Sequence, residues 1–273
     1  MATVASPASR RPGARAVAKV DIRLRNVAGV WLRHSTAFKR GYLIEISAIL
    51  IEPLLILLAI GFGVGRLVGE VSDVSYAVFV APGIVVGNAM WHSLFECSWG
   101  AFRRMQLHRV YDSILTAPVS IRELAAGEIA WGATRSLMTT VAVLVAASAF
   151  GLVDSPWGAG IVLIGVLTGL TFGGMGLFFA SVAPTTHSLT LVFTLVGTPL
   201  FFFGGVFFPI ESLPDFIEPV AWALPLTPAV QAARGLSTGS VGLAELYCVL
   251  YLVALAATFY PLAVWRLRRR LIV

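Results

Sequence analysis

The stretch LAELYCVLYLVALAATFYPLAVWRLRRR, Leu243 to Arg270, decides how this chain is read. Leu243 to Val264 is a long apolar run, and a helix crosses the hydrocarbon core of a bilayer with about 20 such residues. The run ends directly in Arg266, Arg268, Arg269 and Arg270, at a position where arginines meet lipid headgroups. Working outward from this pattern, five further runs of the same kind appear, at roughly Leu43 to Gly65, Val74 to Phe102, Leu124 to Phe150, Trp157 to Val182 and Leu189 to Phe208. Six spans put both ends of the chain on one side of the membrane.

The composition excludes an ordinary soluble domain. Of 273 residues, 58% are hydrophobic and 12% charged, too few polar residues to clothe a globular core. The charges that remain are sorted by gap. Arg10, Arg11, Arg15, Lys19, Arg23, Arg25, Arg33, Lys39 and Arg40 precede the first span; Arg103, Arg104, Arg109 and Arg122 fill the second gap. The first, third and fifth gaps hold only Arg66 and Arg234 beside Glu70, Asp73, Asp154, Glu211, Asp215 and Glu218. Loops rich in Lys and Arg stay in the cytoplasm, so the expectation is a multi-pass membrane protein with both termini cytoplasmic.

The basic balance therefore points to lipid headgroups, and no nucleic-acid partner is expected. Residues 1–18 carry no apolar core for a signal peptide; Ser6, Pro7, Pro12 and Gly13 suit a disordered basic tail. Cys97 and Cys248 fall inside spans, outside any metal or redox spacing, as small buried hydrophobes.

Three segments are periodic but do not span. From Lys19 to Phe38, Val20, Leu24, Val27, Trp31 and Phe38 share a helical face while Lys19, Arg23, Asn26 and Arg33 lie off it, so residues 19–42 are expected as an amphipathic interfacial helix. The second gap reads RRMQLHRVYDSILTAPVSIR, Arg103 to Arg122; Leu107, Val110, Tyr111 and Ile114 form a short apolar stripe that Pro118 ends. Such a helix needs a surface to cover, either lipid or a groove on a partner protein. The fifth gap is broken by Pro209, Pro214, Pro219, Pro225 and Pro228. Its apolar pieces, Phe216, Ile217, Val220, Ala221, Trp222 and Leu224, suit short re-entrant or interfacial helices on the outer side.

No chemistry-bearing motif appears. A P-loop needs Lys followed by Ser or Thr, and the two lysines are followed by Val20 and Arg40. His34, His92, His108 and His187 have no metal spacing, and no nucleophile elbow is present. The expectation is no catalytic residue, no metal and no cofactor.

Within the second span, Asn88, His92 and Glu96 repeat every four residues and share a face, with Trp91, Phe95 and Trp99 alongside. Ionisable groups at membrane depth face protein or water. The stripe reads either as the wall of a substrate path or as polar glue between helices. Glu45 and Glu52 lie one heptad apart in the first span, as do Glu128 and Arg135 in the third; a buried ion pair between Glu52 and Arg135 is the expectation, as scaffold rather than proton relay. Gly165, Gly169 and Gly173 form a small-residue ridge for close helix approach. Phe201, Phe202, Phe203, Phe207 and Phe208 crowd the outer half of the fifth span, as a hydrophobic constriction or as lipid-facing bulk.

These landmarks together resemble the membrane subunit of an ABC-2-type exporter over residues 20–270. The motifs that carry the resemblance are FFFGGVFFPIESLP, Phe201 to Pro214, followed by PLTP, Pro225 to Pro228, and YDSILTAPVS, Tyr111 to Ser120. EPLLILLAIGFGVG (Glu52 to Gly65), MWHSLFECSWGAFRRM (Met90 to Met105) and GEIAWGATRS (Gly127 to Ser136) resemble the permeases of nodulation-factor, or lipooligosaccharide, exporters in particular. Exporters of drugs and polysaccharides use the same scaffold, since fold does not fix cargo.

The resemblance implies an all-α integral membrane protein: an interfacial N-terminal helix, a six-span domain over residues 43–265, a cytoplasmic coupling helix, short outer re-entrant helices, and a basic cytoplasmic tail at 266–273. It implies a homodimer of this chain with two copies of a separate cytoplasmic ATPase, and no catalysis by the chain itself. Tyr111, Asp112, Ile114, Leu115 and Pro118 would dock in the ATPase. An amphipathic lipid or oligosaccharide would pass along spans one, two and five, beside Asn88, Trp91, His92, Phe95, Glu96, Phe201 and Phe203. Two other classes compete. A secondary transporter or channel would show internal repeats with broken helices in both halves, and an intramembrane enzyme would cluster catalytic groups at one depth.

Overall fold

The computed structural model describes residues 22–153 and 155–272; the expected tail 1–18, and Lys19 and Val20 of the expected amphipathic helix, lie outside the described residues. Among the described residues, six helices are long and apolar enough to cross a membrane: Tyr42–Val68, Tyr76–Leu107, Ile121–Ala149, Pro156–Val182, Thr186–Phe203 and Leu243–Leu271. These are the first to sixth spans. The fifth stops short of Phe208 because Gly204 and Gly205, the latter at φ +78°, turn the chain out of the helix. The sixth runs on through the arginines, so residues 266–270 of the expected basic tail are helical; Val273 lies outside the described residues.

The second, third and fourth spans form the centre. Their most apolar stretches are 78%, 56% and 67% buried, against 18%, 22% and 11% for the first, fifth and sixth. The glycine ridge explains the close approach. A Cβ on Gly169 would stand 2.8 Å from Ala133 Cα, and one on Gly173 would stand 3.0 Å from Ser93 Oγ. Backbones this close let hydroxyls bond between helices. Ser93 Oγ donates to the Gly169 carbonyl at 2.6 Å, Thr171 Oγ1 to the Leu252 carbonyl at 3.1 Å, and Ser136 Oγ to the Ala89 carbonyl.

Helical regularity is unevenly shared. π-helical turns occur at Leu57–Val64, Glu96–Gly100, Arg103–Leu107 and Phe193–Gly197. All four fall in the first, second and fifth spans. Such turns carry wide i→i+5 hydrogen bonds and concentrate at functional sites in helical proteins.

At the basic end, helix Leu24–Arg40 lies against the third span. Its packed face is Val27, Val30, Trp31, His34 and Phe38, with Val30 and His34 buried. Leu24, expected on this face, is 81% exposed instead. Gly127 sets the approach, since a Cβ there would come within 2.6 Å of Val30. Trp31 Nε1 donates to Thr134 Oγ1 at 2.9 Å. The third span begins with a capping box: the Glu123 amide donates to Ser120 Oγ, and Glu123 Oε2 accepts from the Ser120 amide at 2.7 Å. The second Glu123 oxygen accepts from the Arg23 amide at 2.8 Å, tying the start of the N-terminal helix to this cap. Arg270 donates to the carbonyls of Ala180 and Ala183 at 2.8 and 2.6 Å, placing a cation on the carbonyl-rich end of the fourth span.

The opposite end is closed by a small hairpin and by the Pro-rich segment. Glu70–Val71 pairs antiparallel with Val74–Ser75 around Ser72 and Asp73, both at positive φ, the turn geometry that two-residue hairpins favour. After the fifth span come a single turn at Ile210–Ser212, helix Glu218–Ala223 and helix Leu226–Thr238. The last is largely buried. Ala229, Ala232, Ala233 and Gly235 make it narrow enough to wedge among the second, fourth and sixth spans. Arg234 on this helix donates from Nε to the Phe79 carbonyl at 3.1 Å and from Nη2 to the carbonyls of Gly205 and Val206. Its guanidinium also covers the Phe79 ring at 3.7 Å. Burial lowers the Arg234 pKa to about 10, with nearby Glu211 acting in the other direction; the side chain is fully charged at neutral pH.

Candidate functional site

Charged residues from separate helices meet near the basic end. Glu128, in the third span, is fully buried. Its Oε1 lies 3.0 Å from His34 Nε2, and its Oε2 accepts from Arg104 Nη2 at 2.6 Å. Arg104 Nη1 donates to Glu96 Oε1 at 2.8 Å. Isolated buried charges are prohibitive, whereas paired and hydrogen-bonded ones are tolerated. The network joins the N-terminal helix and the second and third spans. A second ion pair, Arg135 Nη2 to Glu45 Oε2 at 2.7 Å, ties the first span to the third.

This pairing corrects the expected Glu52–Arg135 bridge. Glu52 shares a helical face with Glu45, but Arg135 stands one heptad nearer the basic end than that bridge requires. Glu52 is exposed on the surface of the first span.

The second-span stripe divides. Asn88 is buried, and its amide donates to the Ile84 carbonyl of its own helix at 2.9 Å. His92 is half-buried, within electrostatic reach of Arg135 and Glu96. Glu96 belongs to the network. The aromatic residues form a continuous seam between the second and fifth spans. Trp91 stacks on Phe193 at 5.7 Å and meets Phe201 at 6.0 Å; Phe95 meets Phe193 at 5.7 Å and stacks on Trp99 at 6.3 Å. Phe201 continues the seam to Phe207 at 5.3 Å. Glycines make room for it from both sides. A Cβ on Gly87 would come within 2.5 Å of the Phe201 ring, and one on Gly197 within 2.8 Å of Trp91. Phe203 points away from the seam and is 40% exposed.

A cavity of about 430 Å³ opens beside the network, between the N-terminal helix and the first three spans. Arg33, Arg103, Arg104 and Arg135 line it together with Glu45 and Glu96. Phe95 and Trp99, the basic-end limit of the aromatic seam, form its apolar wall. The seam and the cavity are thus continuous.

The helix expected over the second gap is shorter than its stripe suggests. It spans Val110–Leu115 and ends before Pro118. Leu107 belongs to the last π turn of the second span. Tyr111 is wholly buried beside Arg104 and Glu128, its hydroxyl without an acceptor. Burial first, and the Glu128 carboxylate second, push its pKa well above the ordinary phenol value. Asp112 and Pro118 are exposed, and Ile114 and Leu115 are half-buried. Tyr111 therefore faces into the bundle and offers no surface to a partner, contrary to its expected place in a docking face.

Sequence reading missed His34, Arg104, Phe193 and Arg234. One signal was present for His34, which sits at helical spacing between Val30 and Phe38, on the packed face. The S-x-x-E pattern at Ser120 and Glu123 also marked the start of the third span.

Comparisons with known proteins agree over most of the chain. A family model described as ABC-2 type transporter matches residues 27–237. "Nodulation protein J" of Rhizobium meliloti (strain 1021) is 34% identical over 217 residues, covering 79% of this chain and 82% of the relative. "Nodulation protein J" of Sinorhizobium fredii (strain NBRC 101917 / NGR234) is 30% identical over 247 residues, 90% of this chain and 94% of the relative. "Inner membrane transport permease YadH" of Escherichia coli (strain K12) is 28% identical over 247 residues, 88% of this chain and 93% of the relative.

Proposed function

The chain belongs to the ABC-2 type transporter family of membrane permease subunits, and from that premise we propose that it is the membrane half of an ATP-driven exporter for a lipid-linked or amphipathic oligosaccharide. The basic end is cytoplasmic in this reading, by the distribution of Lys and Arg among the gaps. ATP is hydrolysed on a separate subunit, two copies of which serve two copies of this chain in the inner membrane.

The observation that carries the proposal is a coincidence of position. The π turns fall in the first, second and fifth spans, and the aromatic seam runs between two of them. Aromatic faces suit sugar rings and acyl chains alike. Trp91, Phe95 and Phe201 supply that surface; His92 and Glu96 supply polar contacts near its cytoplasmic end. Asn88 packs within the bundle, and Phe203 faces outward. The exposed Glu52 supports the homodimer, because a carboxylate at membrane depth is expensive against lipid and far less so against protein or a polar path. The helix Leu24–Arg40 rides on the third span at the membrane surface as the interfacial helix. The exposed apolar residues of Glu218–Ala223, Val220 and Trp222, suit the outer interface.

Coupling follows from Val110–Leu115. Asp112, Leu115 and Pro118 present a small surface to a groove of the ATPase, with Ile114 supporting them. Tyr111 is the inward anchor, so a push on the helix reaches Arg104 and Glu128, and through them three other elements.

The test is ATP-dependent uptake of a labelled lipooligosaccharide into inside-out vesicles holding this chain and its ATPase. Uptake is expected only with both proteins present, and Asp112→Arg or Leu115→Arg should abolish it with the permease still inserted. Concentrative uptake by the permease alone would overturn the reading in favour of a secondary transporter. Transport of drugs or polysaccharide but no lipooligosaccharide would overturn the cargo and keep the class.

A further inference from the structure

The four arginines around the 430 Å³ cavity exceed what the ion pairs need. Arg104 and Arg135 are matched by Glu96, Glu128 and Glu45. Arg33 and Arg103 have no carboxylate partner among the described residues. Three guanidinium groups, those of Arg33, Arg104 and Arg135, each keep a buried Nε–H with no acceptor, and Arg135 as a whole is only 8% exposed. Those Nε–H groups are closed to solvent and so lie behind the cavity wall; the cations that line the cavity without a carboxylate partner among the described residues are Arg33 and Arg103. Guanidinium groups pair best with the oxygens of phosphate and carboxylate, two at a time.

The rest of the cavity narrows the ligand. Its volume is within the range of small-molecule pockets, about 300–1,000 Å³, and more than a bare anion fills. Phe95 and Trp99 close one side; Phe95 is 56% exposed, with its ring at the foot of the seam. The N-terminal helix forms another side, and with that helix interfacial, as proposed above, the opening would lie at the depth of lipid headgroups.

We propose that this cavity receives the phosphate-bearing headgroup of an amphiphile from the cytoplasmic leaflet, with Arg33 and Arg103 on the phosphate and Phe95 and Trp99 against the apolar portion. The inference rests on the permease reading only for the leaflet to which the cavity opens. Its test measures binding, not export, so the two can fail separately.

The full-length chain, purified in detergent, is titrated by native mass spectrometry with dioctanoyl phosphatidic acid, dioctanoylglycerol and inorganic phosphate. Phosphatidic acid should bind at least tenfold more tightly than either of the others. Arg33→Gln with Arg103→Gln should weaken it about tenfold, roughly 1.4 kcal/mol. Arg25→Gln with Arg40→Gln, on the same helix but outside the cavity, should leave it unchanged. Melting temperatures report folding of each variant, and Arg103→Gln alone carries the test if the double variant unfolds. Equal binding of phosphatidic acid and dioctanoylglycerol overturns the proposal, as does equal loss in the control pair, which would mean general surface attraction. Phosphate binding as tightly as phosphatidic acid would overturn the lipid half and leave a free-anion site.

Discussion

Glu128→Ala is the sharpest probe of the charge network. The substitution removes both carboxylate contacts at once, 3.0 Å to His34 and 2.6 Å to Arg104. Arg104 keeps Glu96 at 2.8 Å, so the guanidinium is not stranded, but His34 loses its only side-chain hydrogen-bond partner among the described residues. Breaking a buried pair from one side costs about 3–5 kcal/mol. In a chain of this length each kcal/mol lowers the melting temperature by about 2–4 °C, so a fall of roughly 10 °C is expected. Glu128→Gln preserves shape and an acceptor oxygen while losing the charge, and should cost about 1.5–3 kcal/mol. Fluorescence-detected size-exclusion chromatography after graded heating reads both. A Glu128→Ala protein melting within about 2 °C of the parent would mean that the network contributes nothing to stability, and the proposed route from Tyr111 through Arg104 and Glu128 would fall with it.

Two further outcomes follow from geometry. Arg234→Leu removes donors to three backbone carbonyls and a cation from the Phe79 ring, and should cost about 2–4 kcal/mol, read as a lower melting temperature and faster protease cleavage near Gly204. Gly197→Leu places a side chain where Trp91 now sits, 2.8 Å from the Cβ position. It should displace the seam and reduce transport at least tenfold at unchanged expression, and normal transport would remove the seam from the path.

Much of this architecture is written locally in the sequence. A span needs only a run of apolar residues, so the six runs could be found one at a time. The ridge at Gly165, Gly169 and Gly173 was legible for the same reason, because small residues at every fourth position make one face narrow wherever that face points. What was not legible is axial offset between helices. Periodicity puts Glu45 and Glu52 on one face but leaves open which of them stands level with Arg135. His34 and Glu128 lie 94 positions apart, and nothing local signals that they meet. The same limit explains Tyr111. An apolar stripe identifies the residues to be covered but not what covers them, here the bundle's own interior. The helix Leu226–Thr238 escaped notice because prolines at 225 and 228 read as breaks, although proline fits the first turn of a helix.

The wide turns in the first, second and fifth spans hold one surplus residue each relative to an α-helix. Such a bulge can migrate by exchanging hydrogen bonds with its neighbours rather than breaking the helix. Residues it passes would be turned by about 100° around the axis, while the helix ends stay anchored. In the second span the bulge at Glu96–Gly100 lies between the rings of Trp91 and Phe95 and the charged floor at Arg104. Its migration would swing Glu96 and Trp99 between cavity and seam, joining the proposed binding pocket to the proposed path by rotation alone.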